Sequence, residues 1–365
     1  MTLTLYVLRL LCAAVVVSAG GLFFIAIPGV VVGAVHKLGV VNMAALLGFL
    51  PLVLVDLVPY LLPIGFLLAL VSTYGRLAAD NEWTAISMAG IHPVRMMLPA
   101  LVIALVLGGM SHWLTTEISP SLSFLKREYA ARHVVESFRN MNAGRTEVPL
   151  NDFYLSAKSR DFKSNTFRDV TIHIPSKARA AGEAASASEA GSTVLADVAE
   201  FSFHGDSMRI DLTRARSANA INAVQIKHIA VEVDIDDLLK IKSKNRLEWR
   251  YQTSNELGRM LDAGEVAPED VRKAIFELHS RRTRTATFFM FLLLGVPTGL
   301  LLRRGTQLGA LAAAVGYALV YYLLSVRLGK TLASWGTIPP AVSAWAITVA
   351  GCLAGLWLCW KAFRK

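Results

Sequence analysis

Six apolar runs divide the chain: Leu10 to Val35, Met43 to Val71, Val94 to Leu114, Thr285 to Leu302, Leu308 to Val326 and Ile338 to Trp360. Each approaches the roughly 20 residues that carry a helix across ~30 Å of hydrocarbon, so the pattern predicts six transmembrane helices, three on each side of a polar middle. The first run continues to Val35, well past the core of a signal peptide, and is read as an uncleaved span bent at Pro28 and Gly29 and ending at His36 and Lys37. About thirty residues in the second run would reach ~45 Å, too far for one straight crossing. Pro51, Pro59 and Pro63 offer breaks, and the crossing is the stretch ending at Ser72 to Tyr74, which leaves Asp56 near the opposite interface.

From Ile118 onward the period changes. Pro120 is expected to break the third span, and a helix-like segment through Asn140 leads into alternating runs at Val148 to Ala157, Thr166 to Ile174, Val194 to Phe203, Met208 to Thr213 and Ala223 to Val233. The interval AGEAASASEAGS between the second and third is a small, flexible loop. Short strands with turn signals between them predict an all-β, jelly-roll-like or sandwich domain inserted between helices 3 and 4, with one open sheet as the competing arrangement. After Trp249 the helical pattern returns: Ser254 starts a helix that Gly264 ends, and Pro268 opens another, Glu269 to Arg284, running directly into span four. Spans four and five are joined by the tight turn Arg303 to Thr306, and spans five and six by a loop, Gly329 to Pro340. The expected organisation is therefore transmembrane helices 1–3 over residues 1–118, the β domain with its helical lead-in over 119–250, a helical connector over 251–284, and helices 4–6 over 285–365.

One polar interruption stands apart, YGRLAADNEWTAISMAGIHPVRMM, Tyr74 to Met97. It predicts a helix of about ten residues, at about 80–90, with Asp80 capping its start, Gly90 closing its end and Pro93 beginning the next element. Ala79, Trp83, Ile86 and Gly90 form an apolar stripe, and Ala78, Glu82, Ala85 and Ala89 a stripe of small residues around one carboxylate. Such a helix should lie along the membrane surface and offer its small-residue face to a partner.

Composition and charge sharpen this picture. The 365 residues are 54% hydrophobic and 18% charged, unlike a soluble domain. Arg9, Arg76 with Arg95, Arg303 with Arg304, and the tail Lys361, Arg364 and Lys365 fall on one side of a six-span chain; Lys37, Arg327 and Lys330 fall on the other. The richer set should be cytoplasmic, which puts both termini and the polar interruption inside and the middle domain outside, in the periplasm, with Arg281, Arg282 and Arg284 opposing the rule locally. The net charge of +10 is spread over span ends and the middle domain, with no dense basic tract, so nucleic acid is not an expected partner. Cys12, Cys352 and Cys359 lie in apolar runs and offer no disulfide framework, and the eight histidines show no metal-ligand spacing. Gly329-Lys330-Thr331 has the tail of a phosphate loop, but Leu324 stands where its first glycine belongs, and no G-x-S-x-G elbow occurs. No catalytic residue, cofactor or metal is expected, and the simplest assignment is the permease subunit of a transporter whose ATPase is a separate chain.

The order of several short runs resembles the LptF/LptG family of lipopolysaccharide export permeases over nearly the whole chain. These runs are GRLAADNEWTAISMAG at Gly75 to Gly90, Glu277-Leu278-His279 with Arg281-Arg282, Leu294 to Leu300 with Arg303-Arg304, and Tyr321-Tyr322 ahead of Gly336 and Pro339-Pro340. The resemblance implies a multi-pass half-transporter of the inner membrane with a periplasmic jelly roll. It would pair with a second permease subunit of the family, share a cytoplasmic ABC ATPase dimer, and pass lipopolysaccharide from the inner membrane toward a periplasmic bridge protein and the outer membrane. It also places Glu82 as the acid that contacts the ATPase, and the residues around it in the helical reading, Ala78, Ala85, Ala89, Trp83 and Arg76, complete the candidate coupling set. A phosphorylated lipid with several acyl chains needs cations at the outer interface, and Lys37, Arg281, Arg282, Arg284, Arg327 and Lys330 are the candidates there. Alternatives are a permease for another envelope lipid and a non-transporting, membrane-anchored periplasmic scaffold.

Overall fold

A computed structural model describes residues 2–38, 43–139, 148–150, 153–161, 166–174, 179–181, 192–204, 207–217, 226–234, 249–302, 307–336 and 338–364. Six of its helical stretches are long and apolar enough to cross a membrane: Leu3–Val35, Ala45–Ala79, Pro93–Ala130, Val271–Leu301, Gly309–Trp335 and Pro340–Phe363. The elements between and within them are α1 (Thr2–Leu38), α2 (Met43–Ala79), α3 (Glu82–Met88), α4 (Pro93–Trp113), α5 (Ser119–Arg139), α6 (Ser254–Asp262), α7 (Val271–Leu301), α8 (Gln307–Tyr322), α9 (Gly329–Trp335) and α10 (Pro340–Phe363). The seven strands are β1 (Val148–Leu150), β2 (Phe153–Asp161), β3 (Thr166–Ile174), β4 (Arg179–Ala181), β5 (Ser192–His204), β6 (Ser207–Ser217) and β7 (Ile226–Asp234).

The prolines behave differently from the sequence expectation. α2 runs unbroken through Pro51, Pro59 and Pro63 to Ala79, so the second apolar run is one helix of 37 residues. Pro120 does not end the third span either. A π-helical turn, Leu114–Ile118, comes just before it and joins α4 to α5. A proline ring clashes with the carbonyl four residues earlier, and the wider i→i+5 winding opens the helix where that carbonyl sits. A second π turn, Leu323–Leu328, extends span five into α9, so the expected loop from Gly329 shrinks to the stretch between Trp335 and Pro340, turned by Gly336 at φ 83°. The turn Arg303 to Thr306 lies outside the described residues.

The chain forms two compact units, residues 1–27 with 54–122 and 249–365, and residues 28–53 with 123–248. In the first, α2 and α7 share two of the apolar cores: one gathers Val7 and Leu11 of α1, Phe66 and Leu70 of α2, Ala100 and Ile103 of α4, and Phe288 and Val296 of α7. The other gathers Leu67 and Val71 of α2, Phe291 and Leu294 of α7, and Ala314 and Tyr321 of α8. Small residues let these backbones approach. A Cβ on Gly299 would sit 2.9 Å from both the Gly75 nitrogen and the Val71 carbonyl, and one on Gly355 of α10 would lie 2.6 Å from the Leu293 Cβ. Pro297 leaves the Leu293 carbonyl without its helical donor, and the Cys359 thiol of α10 faces it at 3.5 Å.

The second unit carries a single antiparallel sheet, ordered β1-β2-β3-β5-β6-β7-β4. One face packs on itself and on the helix segments of the same unit: Phe167, Ile172, Phe201, Ile210 and Leu212 share a core with Ala34, Phe49 and Ala130. Each of the five predicted runs holds a strand, and the sequence reading missed β4 and the separation of β1 from β2; residues 151–152 and 223–225 of those runs, and 182–191 of the small loop, lie outside the described residues. Ladder pairing is interrupted at one row crossing five strands, Lys158, Asp169, Asp197, Arg214 and Lys227, while the register on either side is unchanged. Asp169 and Arg214 there have φ of 52° and 55°. Buried positions step by three instead of two across this row, from Phe167 to Val170, Ala196 to Ala199 and Leu212 to Ala215. The row is a crease across the sheet.

Candidate functional site

The polar interruption folds as a turn and a short helix rather than a single ten-residue helix. α2 absorbs Tyr74 through Ala79, and Asp80, expected as a cap, instead pairs with Arg76 at 3.5 Å. Asn81 makes the turn at φ 60°, and α3 then covers only Glu82–Met88. Its far end follows the sequence expectation. Gly90 is left-handed at φ 77°, and the amides of Gly90 and Ile91 donate to the carbonyls of Ser87 and Ile86, the paired bonds that close a helix on a glycine. Pro93 then begins α4 behind His92, whose ring nitrogen accepts from the Val94 amide.

Aromatic side chains root this helix. Trp83 stacks on Phe363 at the end of α10 and meets Tyr74 of α2 edge-on, each with ring centroids 6.3 Å apart. The buried Tyr74 hydroxyl donates to the Met96 carbonyl at 2.7 Å, which joins α2 to the start of α4. Ile86 and Ile91 pack on the same core. The expected stripes divide accordingly: Trp83 and Ile86 face inward, while Ala79, Ala85, Ala89 and Gly90 are exposed and Met88 is 80% exposed. Ala78 lies on α2 and is buried. The Glu82 carboxylate accepts from the Tyr6 hydroxyl of α1 at 3.3 and 3.4 Å. Tyr6 and Phe363 were missed in the sequence, although aromatics at the ends of apolar runs are the usual interfacial signal.

The second concentration of polar groups lies on the first half of α7. Arg281 has a side chain 4% exposed, and its Nε faces a Glu277 carboxylate oxygen at 3.4 Å while Arg284 reaches the same oxygen at 3.5 Å. One Arg281 terminal nitrogen donates to the Gln252 carbonyl at 2.9 Å and faces the Ser254 hydroxyl at 3.4 Å. Arg284 lies over the Tyr60 ring at 5.0 Å, and the Tyr322 hydroxyl donates to the Tyr60 carbonyl at 2.9 Å. Arg272 donates to the carbonyls of Ala333 and Ile338, and the Trp345 indole faces His279 at 3.3 Å. Of the expected outer cations, then, Arg281 and Arg284 are brought together and enclosed, whereas Arg282, Arg327 and Lys330 are exposed. The side chain of Lys37 lies outside the described residues. Asp56 accepts from the Ser119 hydroxyl at 2.7 Å. Among the described residues no group of histidine, cysteine or acid side chains is placed to hold a metal.

The molecule thus joins six spans, a β insertion, a short surface helix rooted by aromatics and a buried charged cluster at one end of span four. A comparison with curated proteins returns no match. The family model described as lipopolysaccharide export system permease LptF/LptG matches residues 5–361, and the chain, a multi-pass inner-membrane protein, belongs to that family.

Proposed function

We propose that this chain is one half of a permease pair that moves lipopolysaccharide out of the inner membrane, driven by a separate cytoplasmic ABC ATPase that docks on α3. The observation that carries this is the division of α3: Trp83 and Ile86 hold it to the membrane core, while Ala85, Met88 and Ala89 are left outward beside Glu82. A large exposed methionine flanked by alanines suits a close protein contact, and the rooted tryptophan would pass a push on that surface directly to α2 and α10. The Arg9, Arg76, Arg95 and C-terminal basic set supports placing this face and both termini in the cytoplasm and the β domain in the periplasm. There the domain would hand lipid to a periplasmic bridge protein. Exposed Arg282, Arg327 and Lys330 are the groups best placed to meet lipid phosphates. The chain supplies transport, and the partner chain supplies ATP hydrolysis.

Reversing the charge with Glu82→Lys tests this. Co-purification of the cytoplasmic ATPase should fall at least tenfold, and lipopolysaccharide should accumulate in the inner membrane. Unchanged association together with unchanged envelope lipid would support a scaffold instead. A phospholipid without lipid A as the co-purifying lipid would move the substrate to another envelope lipid.

A further inference from the structure

We infer that the Glu277-Leu278-His279-Ser280-Arg281-Arg282 run is a clamp that fixes the connector ahead of span four, residues 249–262, onto that span, with Arg281 as its positioning residue. The chain passes between the two units at four places, 27/28, 53/54, 122/123 and 248/249. At the first three, α1, α2 and α5 run through the boundary as continuous helix. The fourth is different. The chain enters the membrane unit at Trp249, in a single 3-10 turn, Trp249–Tyr251, that precedes α6.

Arg281 grips that segment just where α6 begins, through the Gln252 carbonyl and the Ser254 hydroxyl, while its Nε holds Glu277 on its own helix. Trp249 and Leu257 on the connector pack with Ala274 of α7 beneath it. A guanidinium presents several donors in one rigid plane and can serve two elements at once, which the point charge of lysine cannot do in the same geometry. On the other side, Arg272 and His279 bind α7 to the α9–α10 turn and to Trp345. The start of span four is therefore fixed to its neighbours and to the connector together. If the permease reading above holds, on which this consequence rests, a shift of span four passes to the connector, residues 249–262, through Arg281.

The test uses the full complex with its ATPase, comparing wild type with Arg281→Lys and Arg281→Ala. Amide exchange over residues 252–262 should rise about tenfold in both variants and stay within about twofold over 285–301. In proteoliposomes, lipopolysaccharide released per ATP hydrolysed should fall about fivefold with the hydrolysis rate within about twofold of wild type. Unchanged exchange at the connector, exchange raised throughout the chain in both variants, or faster connector exchange with normal lipid release per ATP would each overturn the clamp. A wild-type complex that releases no lipopolysaccharide would instead sink the permease reading, and the exchange comparison would still decide whether Arg281 holds the connector.

Discussion

The helix α3 and the first half of α7 both combine acids with aromatic side chains, yet they are held in opposite ways. At α3 the apolar groups turn toward the core and the half-buried carboxylate lies at the surface, within reach of one tyrosine hydroxyl. At α7 the guanidiniums themselves are inside, and one half-buried carboxylate serves both. A surface carboxylate with a single weak partner can be exchanged for another at little cost, whereas a buried pair resists separation because each charge left behind is desolvated. The difference suits a surface that takes up a partner at one place and a joint that keeps its shape at the other.

The sharpest way to break this contrast is to remove one charge from each. Arg281→Ala should lower stability by about 4 kcal/mol, because it empties a buried site, takes the donor from the Gln252 carbonyl and leaves Glu277 with Arg284 alone. Glu82→Ala should change it by about 0.5 kcal/mol or less, so equal thermal shifts in the two variants would remove the distinction. Next in size is the axis that both regions share. Gly299→Val places a side chain against backbone atoms of Gly75 and Val71, which cannot rotate away, and should cost about 3 kcal/mol with α3 and α6 losing amide protection together. Independent loss at one end would show that α7 does not join them. Trp83→Ala should cost about 2 kcal/mol and raise exchange at α3 selectively, leaving the Arg281 cluster protected.

The smallest effect expected is with pH. The Lys273 ammonium beside Asp270, at the start of α7, holds its carboxyl below the ordinary carboxylate value. A lowered folded value means that this group adds stability above the unfolded value and loses it as pH falls through the folded one. Wild type should therefore lose its advantage over Asp270→Asn only below about pH 4, and by about 1 °C or less in Tm, since the pair is open to solvent screening.

Much of this architecture was legible in the sequence because it rests on local rules. Run length predicted the six spans, alternation predicted the strands, and Gly90 and Pro93 marked the end of α3 and the start of α4 as expected. The failures share a physical cause, which is tertiary support. Pro51, Pro59 and Pro63 interrupt nothing because the surrounding helix is long and packed, and Pro120 is absorbed by a π turn that no propensity scale anticipates. Asp80 takes Arg76 instead of capping, because α2 continues past the point where the new helix was expected to start. Within the site, Glu82 and Trp83 stood out as residue types in a short amphipathic run. Tyr6 and Phe363 could be matched to them only in space, as they lie near the two chain ends. The same holds for Arg281, whose partner at Gln252 is a backbone carbonyl and leaves no trace in residue identity.

The crease in the sheet constrains how this domain can change over time. Because the buried positions of β3, β5 and β6 each step by three at the same row, deleting Asp169 alone would restore simple alternation in β3 while putting one half of that strand a residue out of step with its neighbours. Asp197 and Arg214, joined across the row at 2.9 Å, are tied to the same step. Insertions and deletions in this lineage should therefore collect in the turns between strands. At the crease only substitutions that tolerate a left-handed backbone at 169 and 214, glycine or asparagine foremost, can be inherited one at a time.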